Sequence, residues 1–122
     1  MVLSTSAGIR RGKIEIEPHA VATVAARATA QCYGVVGMAA RHPRFTTVEL
    51  LTPEHYARSV EVRMSEGEIT IDVYVVLEHG LRISEIAHNV MANVRFAVER
   101  TLGLRVGRVN VNVQALRVNG GA

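Results

Sequence analysis

The sequence predicts a two-layer α/β sandwich of the α+β kind, with two helices packed on one face of a mixed sheet of four to five strands. Three observations predict it. Apolar residues alternate with period two over residues 60–64, 69–77 and 109–115. Two stretches, near 18–33 and 83–102, carry apolar residues at helical spacing instead. Each of these elements is apolar on one side only, and helices laid over a sheet bury both apolar sides at once.

The first strand is expected in "GKIEIEP", where Ile14 and Ile16 face one way and Lys13, Glu15 and Glu17 the other. Pro18 suits the first turn of a helix, where its missing N–H costs nothing. That helix is expected to run to about Tyr33 on a stripe of Val21, Val24, Ala25, Ala28 and Cys32, with Gly34 as its stop. "VVGMAA" reads as a short buried strand. Residues 41–59 read as a crossing segment with one or two helical turns, capped at Thr46 with Glu49 or at Thr52 before Pro53. "VEVRMSEGEITIDVYVVLEHG" is a hairpin, with Val60, Val62 and Met64 alternating before a Ser-Glu-Gly turn and Ile69, Ile71, Val73, Val75 and Leu77 after it. A long helix follows over 83–102 on Ile83, Ile86, Ala87, Val90, Val94, Ala97 and Val98, with Ser84 as its expected N-cap, Gly103 as its left-handed stop and Leu104 folding back. The final strand, "RVGRVNVNVQAL", shifts its apolar parity at Leu116 and Val118, which marks a bulge or an end.

The chain has 122 residues, 48% of them hydrophobic and 20% charged, which suits one soluble globular domain with an ordinary core. Residues 1–11 are expected to form a flexible lead, 12–118 the single domain and 119–122 a flexible end. No apolar run approaches the roughly 18–20 residues of a membrane span. The two N-terminal arginines follow a weak apolar stretch, the reverse of a secretory signal, and the lone Cys32 fits a reducing compartment, so a cytoplasmic protein is expected. The net charge of +3 falls short of a dedicated nucleic-acid binder, and two Phe, three Tyr and no Trp leave little for base stacking.

The search for chemistry returns little. Glu85 and His88 have the i,i+3 spacing of di-iron bundles, but that motif must occur twice on facing helices and here occurs once. His19, His42, His55 and His79 show no ligand spacing. Cys32 falls on the inner stripe at a helix C-terminus, the wrong dipole end for a thiolate. No G-x-S-x-G surrounds Ser84. "GVVG", Gly34 to Gly37, matches the bare G-x-x-G of KH modules, yet it holds no Lys or Arg and leads from helix to strand rather than between helices. No catalytic residue, cofactor or metal is assigned.

Two surfaces remain. By parity the sheet face away from the helices displays Glu15, Glu61, Arg63, Thr70, Asp72, Tyr74, Val76, Asn110, Asn112 and Gln114. Of these, Asp72, Tyr74, Val76, Asn110, Asn112 and Gln114 form the candidate contact strip, better suited to binding protein than to catalysis. The second is a basic patch of Arg95, Arg100, Arg105, Arg108 and Arg117, which an acidic partner, anionic headgroups or nucleic acid could meet, although cations are favoured near a helix C-terminus in any case.

Taken together, "GKIEIEPHAVATVAARATAQCYGVVGMAA", "VEVRMSEGEITIDVYVVLEHGLRISEIAHNV" and "VERTLGLRVGRVNVNVQALRV" resemble the alkaline shock protein family of bacterial envelope stress response proteins, over about residues 12–118. Glu17 departs from the Ser, Asn or Asp expected as cap before Pro18. The resemblance implies a non-enzymatic, cytoplasmic protein that self-associates or docks on a membrane-linked partner, the short housekeeping type of the family. It also implies a membrane anchor protein as a candidate partner and gene neighbours such as a dihydroxyacetone- or fatty-acid-kinase-like enzyme. Two alternatives follow in order: a KH-like nucleic-acid module using "GVVG" and the arginines, and an accessory subunit of such a kinase.

Overall fold

The computed structural model describes residues 2–4, 13–41, 48–65 and 68–118. Its elements run β1 (Val2–Ser4), β2 (Lys13–Glu15), α1 (Pro18–Ala30), β3 (Val35–Met38), a 3-10 helix (Pro53–Ser59), β4 (Val60–Ser65), β5 (Glu68–Glu78), α2 (Ile83–Leu102) and β6 (Val106–Arg117). The two-layer α+β arrangement is as the alternation requires.

β5 is the hub. β6 runs parallel along one edge of it, from Ile69 opposite Val106 to Glu78 opposite Arg117. A strand has two edges, so the antiparallel partners share the other: β4 faces residues 68–73 and β3 faces 75–77. A centre position explains the near-continuous burial along β5, unlike a strand with one wet side. The connection from β5 to β6 is α2, the crossover that a parallel pair needs. α1 lies beside α2 on the same face, over β3, β4 and β5.

The core is aliphatic. Ile71, Val73, Val75 and Leu77 from β5 meet Val90, Val94 and Val98 of α2 and Val21 and Ala25 of α1, all fully buried. Each such branched side chain contributes roughly 1.5–3 kcal/mol of burial.

Several expectations are corrected. β2 pairs with β1, from Val2 opposite Glu15 to Ser4 opposite Lys13, in a ladder separate from the four-stranded sheet. β2, which carries Glu15, is therefore not a strand of that sheet. α1 ends at Ala30; of the expected stripe Val21, Ala25 and Cys32 are buried and Val24 and Ala28 are half-buried against the core, while Ala22, Ala26 and Thr29 are buried besides. The reason is that α1 has two neighbours: Val24 and Ala28 flank a groove against Ala97 and Thr101 of α2 and stay half-buried. α2 has the expected limits and closes on Gly103 at φ 69°, with Leu104 buried behind it, but its N-cap is Arg82 and Ser84 lies inside the first turn. The 3-10 helix supplies the turns expected after Thr52, whose side chain makes no bond to its N-terminal backbone. Thr46, the other cap considered, lies outside the described residues. The parity shift in β6 is a bulge at Gln114, since Val75 faces Val113 and Val76 faces Ala115.

Candidate contact surface

The face of the sheet away from α1 and α2 is organised around Asp72. In the hairpin Asp72 stands opposite Glu61, with Arg63 opposite Thr70, so Arg63 reaches Asp72 diagonally on the same face. Across the other edge Asp72 stands opposite Asn110. The Arg63 guanidinium donates to Asp72 Oδ2 from Nε at 3.2 Å and Nη2 at 2.6 Å, and Asn110 Nδ2 donates to Oδ1 at 2.8 Å. Both carboxylate oxygens are thus occupied and three strands are tied through one side chain. Asp72 is only 7% exposed, whereas the Arg63 side chain is half in water. Its pairing with Asp72 raises the Arg63 pKa further above the usual arginine range.

Tyr74, opposite Asn112, is half-buried beside this pair. Burial, with the Asp72 and Glu61 carboxylates next, raises its phenol pKa, and Arg63 and Arg41 oppose that shift more weakly. The phenol therefore stays protonated as a hydrogen-bonding group. Asn112 Nδ2 donates to the Val73 carbonyl at 3.3 Å. The amides at 110 and 112 each spend one N–H holding β6 to β5 and keep an oxygen and a second N–H.

The strip is shorter than parity suggests. Val76 is 2% exposed, because part of the crossing segment lies over it. Residues 49–51 pair antiparallel with 38–40, through Ala40 N to Glu49 O at 2.9 Å and Leu51 N to Met38 O at 2.8 Å. This lays Leu50 over Gly37, where an added Cβ would meet Leu50 Cδ2 at 3.3 Å and Val76 Cβ at 3.6 Å. A shallow apolar hollow lined by Val48, Leu50, Val76, Ala115 and Leu116 results. Sequence reasoning placed none of the covering residues there. Asp72, Tyr74, Asn110 and Asn112 are brought together, while Gln114 projects from the bulge and is exposed.

The five arginines are not one patch. Arg95 donates to the carbonyls of Val106 and, at 3.4 Å, Gly107, while Glu99 Oε2 accepts the Val106 N–H at 3.0 Å. These two side chains of α2 clamp the first residue of β6. Arg100 lies over the Phe96 ring, 5.7 Å from its centroid. Arg105 and Arg108 are exposed near the start of β6 and Arg117 at its end, roughly 35 Å away at the rise of a strand.

The other candidates resolve into structure. Cys32 is buried, its thiol donating to Ala28 O at 3.3 Å and accepting from Asn93 Nδ2 at 3.1 Å. Glu85 pairs with Arg82 at 3.2 Å. Gly34 packs on Ile86 at φ 90°, and its carbonyl accepts from Glu78 N at 2.9 Å, so "GVVG" is a helix stop leading into close backbone packing. Among the described residues no group of three His, Cys, Asp or Glu side chains could hold a metal ion.

A family model described by a cell envelope-related function matches residues 7–118. The chain belongs to the alkaline shock protein 23 family. Among relatives in this family, uncharacterized protein YloU of Bacillus subtilis is 42% identical over 108 residues, 88% of this chain and 90% of its own. Uncharacterized protein Spy1614 of Streptococcus pyogenes is 38% identical over 110 residues, 89% of this chain and 91% of its own. A second Bacillus subtilis relative, YqhY, is 29% identical over 108 residues, covering 87% of this chain and 78% of its own. The family connects the chain to cell-envelope function, and no helix among its described residues is long and apolar enough to cross a membrane.

Proposed function

We propose that this member of the family is a non-catalytic contact module of the cell envelope response, working from the cytoplasmic side by self-association or by docking on a membrane-linked protein. One observation carries the reading: the open sheet face is chemically quenched yet unfilled. Asp72 has both oxygens engaged by Arg63 and Asn110, and the Tyr74 phenol is held neutral. Such a surface suits binding, since amides, a phenol and a paired arginine offer donors and acceptors with little net charge to strip of water.

A crosslinked pull-down of the tagged protein from its host tests this, with protein and nucleic acid both quantified. Near-stoichiometric recovery of the chain itself or of a membrane protein is the expected result, lost on Asn112→Lys with the thermal midpoint kept within a few degrees. Recovery of a kinase as principal partner would replace this reading with the accessory-subunit one. Nuclease-sensitive, salt-dependent recovery of RNA or DNA would replace it with nucleic-acid binding through the arginines.

A further inference from the structure

β6 is an edge strand. Its twelve residues pair with β5 alone, and no other strand among the described residues takes its outer edge. At Val106 that backbone is already occupied by Glu99 and Arg95. From Arg108 onward nothing described occupies it. A long strand edge is normally defended by charge, because its unpaired N–H and C=O groups are a template for another strand. Here the charges stand only at Arg108 and Arg117, and the eight residues between them, 109–116, are neutral.

Those residues also have a symmetry. Val109-Asn110-Val111-Asn112-Val113 reads the same in both directions about Val111. A two-fold interface must be self-complementary, each residue meeting its counterpart at the mirrored position. We propose that β6 pairs antiparallel with β6 of a second copy of this chain, about a two-fold axis through Val111. This rests on the self-association reading above.

In that register Val111 meets itself, Val109 meets Val113, Asn110 meets Asn112 and Arg108 meets Gln114. Like faces meet like: valines on the helix side, amides on the open side. An amide is both donor and acceptor, so it can pair with its own kind where two like charges would repel. Asn110 and Asn112 each retain an oxygen and one N–H after their bonds to Asp72 and Val73. Val113 is 37% exposed in the single chain and would be covered. A second copy fits this edge better than a foreign strand, because the alternation needs a partner with the same period and centre.

A pairing of seven residues per chain buries less than the roughly 1,600 Å² of a standard interface, so the dimer is expected to dissociate on dilution. Sedimentation across a concentration series should show this exchange, and Val113→Lys should weaken it about tenfold or more by setting a charge on the valine strip. Register is read by crosslinking in a Cys32→Ser background. Val111→Cys should oxidise to a disulfide dimer, since a residue on the axis lies about 4.5–5.5 Å from its copy. Val113→Cys should not, because four residues of offset separate it from its copy by roughly 13 Å. A chain monomeric at every concentration would overturn both this interface and the self-association reading. A dimer that ignores Val113→Lys, or that crosslinks equally through Val113→Cys, would overturn this interface and leave self-association standing.

Discussion

Gly34 is where three elements meet, and Gly34→Ala is the substitution whose cost the structure fixes most directly. Two terms add. Its backbone sits at φ 90°, which an L side chain adopts at a strain of about 1–2 kcal/mol, partly offset by the stiffer unfolded chain, worth about 0.4–1 kcal/mol. The new methyl would also collide with the Ile86 Cδ1 methyl and stand 2.9 Å from its Cγ1, and Ile86 is itself 4% exposed with little room to turn. Overpacking of this kind costs about 1–3 kcal/mol. The sum, about 1–4.5 kcal/mol and centred near 3, should lower the thermal midpoint of a chain this size by roughly 10 °C. Gly103→Ala is the control: φ is also positive, but an added Cβ there meets nothing within 4 Å, so only the strain remains. Differential scanning calorimetry of both variants, with Ile86→Val and its combination with Gly34→Ala, separates the terms. Ile86→Val removes the colliding methyl, so the double variant should be more stable than the sum of the two losses by about 1 kcal/mol. Equal costs at Gly34 and Gly103, or strict additivity with Ile86→Val, would refute the steric argument.

Thr29 is fully buried and its hydroxyl donates to the Ala25 carbonyl at 2.8 Å within its own helix, so Thr29→Val should change stability by less than about 1 kcal/mol in chemical denaturation. Glu99→Ala removes the acceptor for the Val106 N–H and should cost about 0.5–1.5 kcal/mol, while Glu99→Gln keeps an acceptor oxygen and should recover most of it. Tyr74 should titrate above the ordinary phenol range in ultraviolet absorbance, and Asp72→Asn should bring it down. The unfolded chain loses that proton first, so its contribution to stability is complete below about pH 10 and fades as pH rises through the folded value. Asn110→Asp would set a second carboxylate where an amide N–H now lies 2.8 Å from Asp72 Oδ1. Two carboxylates at that range share a proton, so this variant should lose stability relative to the parent as pH rises from about 4 to 7, and parallel pH profiles would refute the contact.

The sequence was most legible where one local signal decided the outcome. The limits of α2 follow from its four-residue valine spacing and from Gly103 with Leu104 behind it, both visible locally. The hairpin register follows from the alternation over 60–64 and 69–77, and with it the diagonal from Arg63 to Asp72. Legibility failed where a distant segment intervened. Strict alternation puts Val76 on an open face, but Leu50 folds over it through the Ala39–Leu50 bridge, a pairing with no local signature. The α1 stripe held but was too narrow, missing Ala22, Ala26 and Thr29: a helix between a sheet and a second helix buries two adjoining sides, and periodicity reports a single one. Arg95 read as part of a basic patch because charge is visible in sequence, while its bonds to the carbonyls of Val106 and Gly107 are not.

The amides of β6 show why a binding surface is harder to read than an active site. At an edge strand a charged residue would guard against association, and at a covered position a valine would add to a core; Asn110 and Asn112 do neither. Facing β5, they hold strand to strand, Asn110 by satisfying the one carboxylate on that face that burial makes expensive. Facing outward, they leave a neutral edge whose remaining donors and acceptors can match another amide. Lysine at 110 could hold Asp72 but would charge the edge, and valine could pass the edge but would leave Asp72 with Arg63 alone. Asparagine meets both demands, so the residues that complete this fold are also the ones that leave it open to contact.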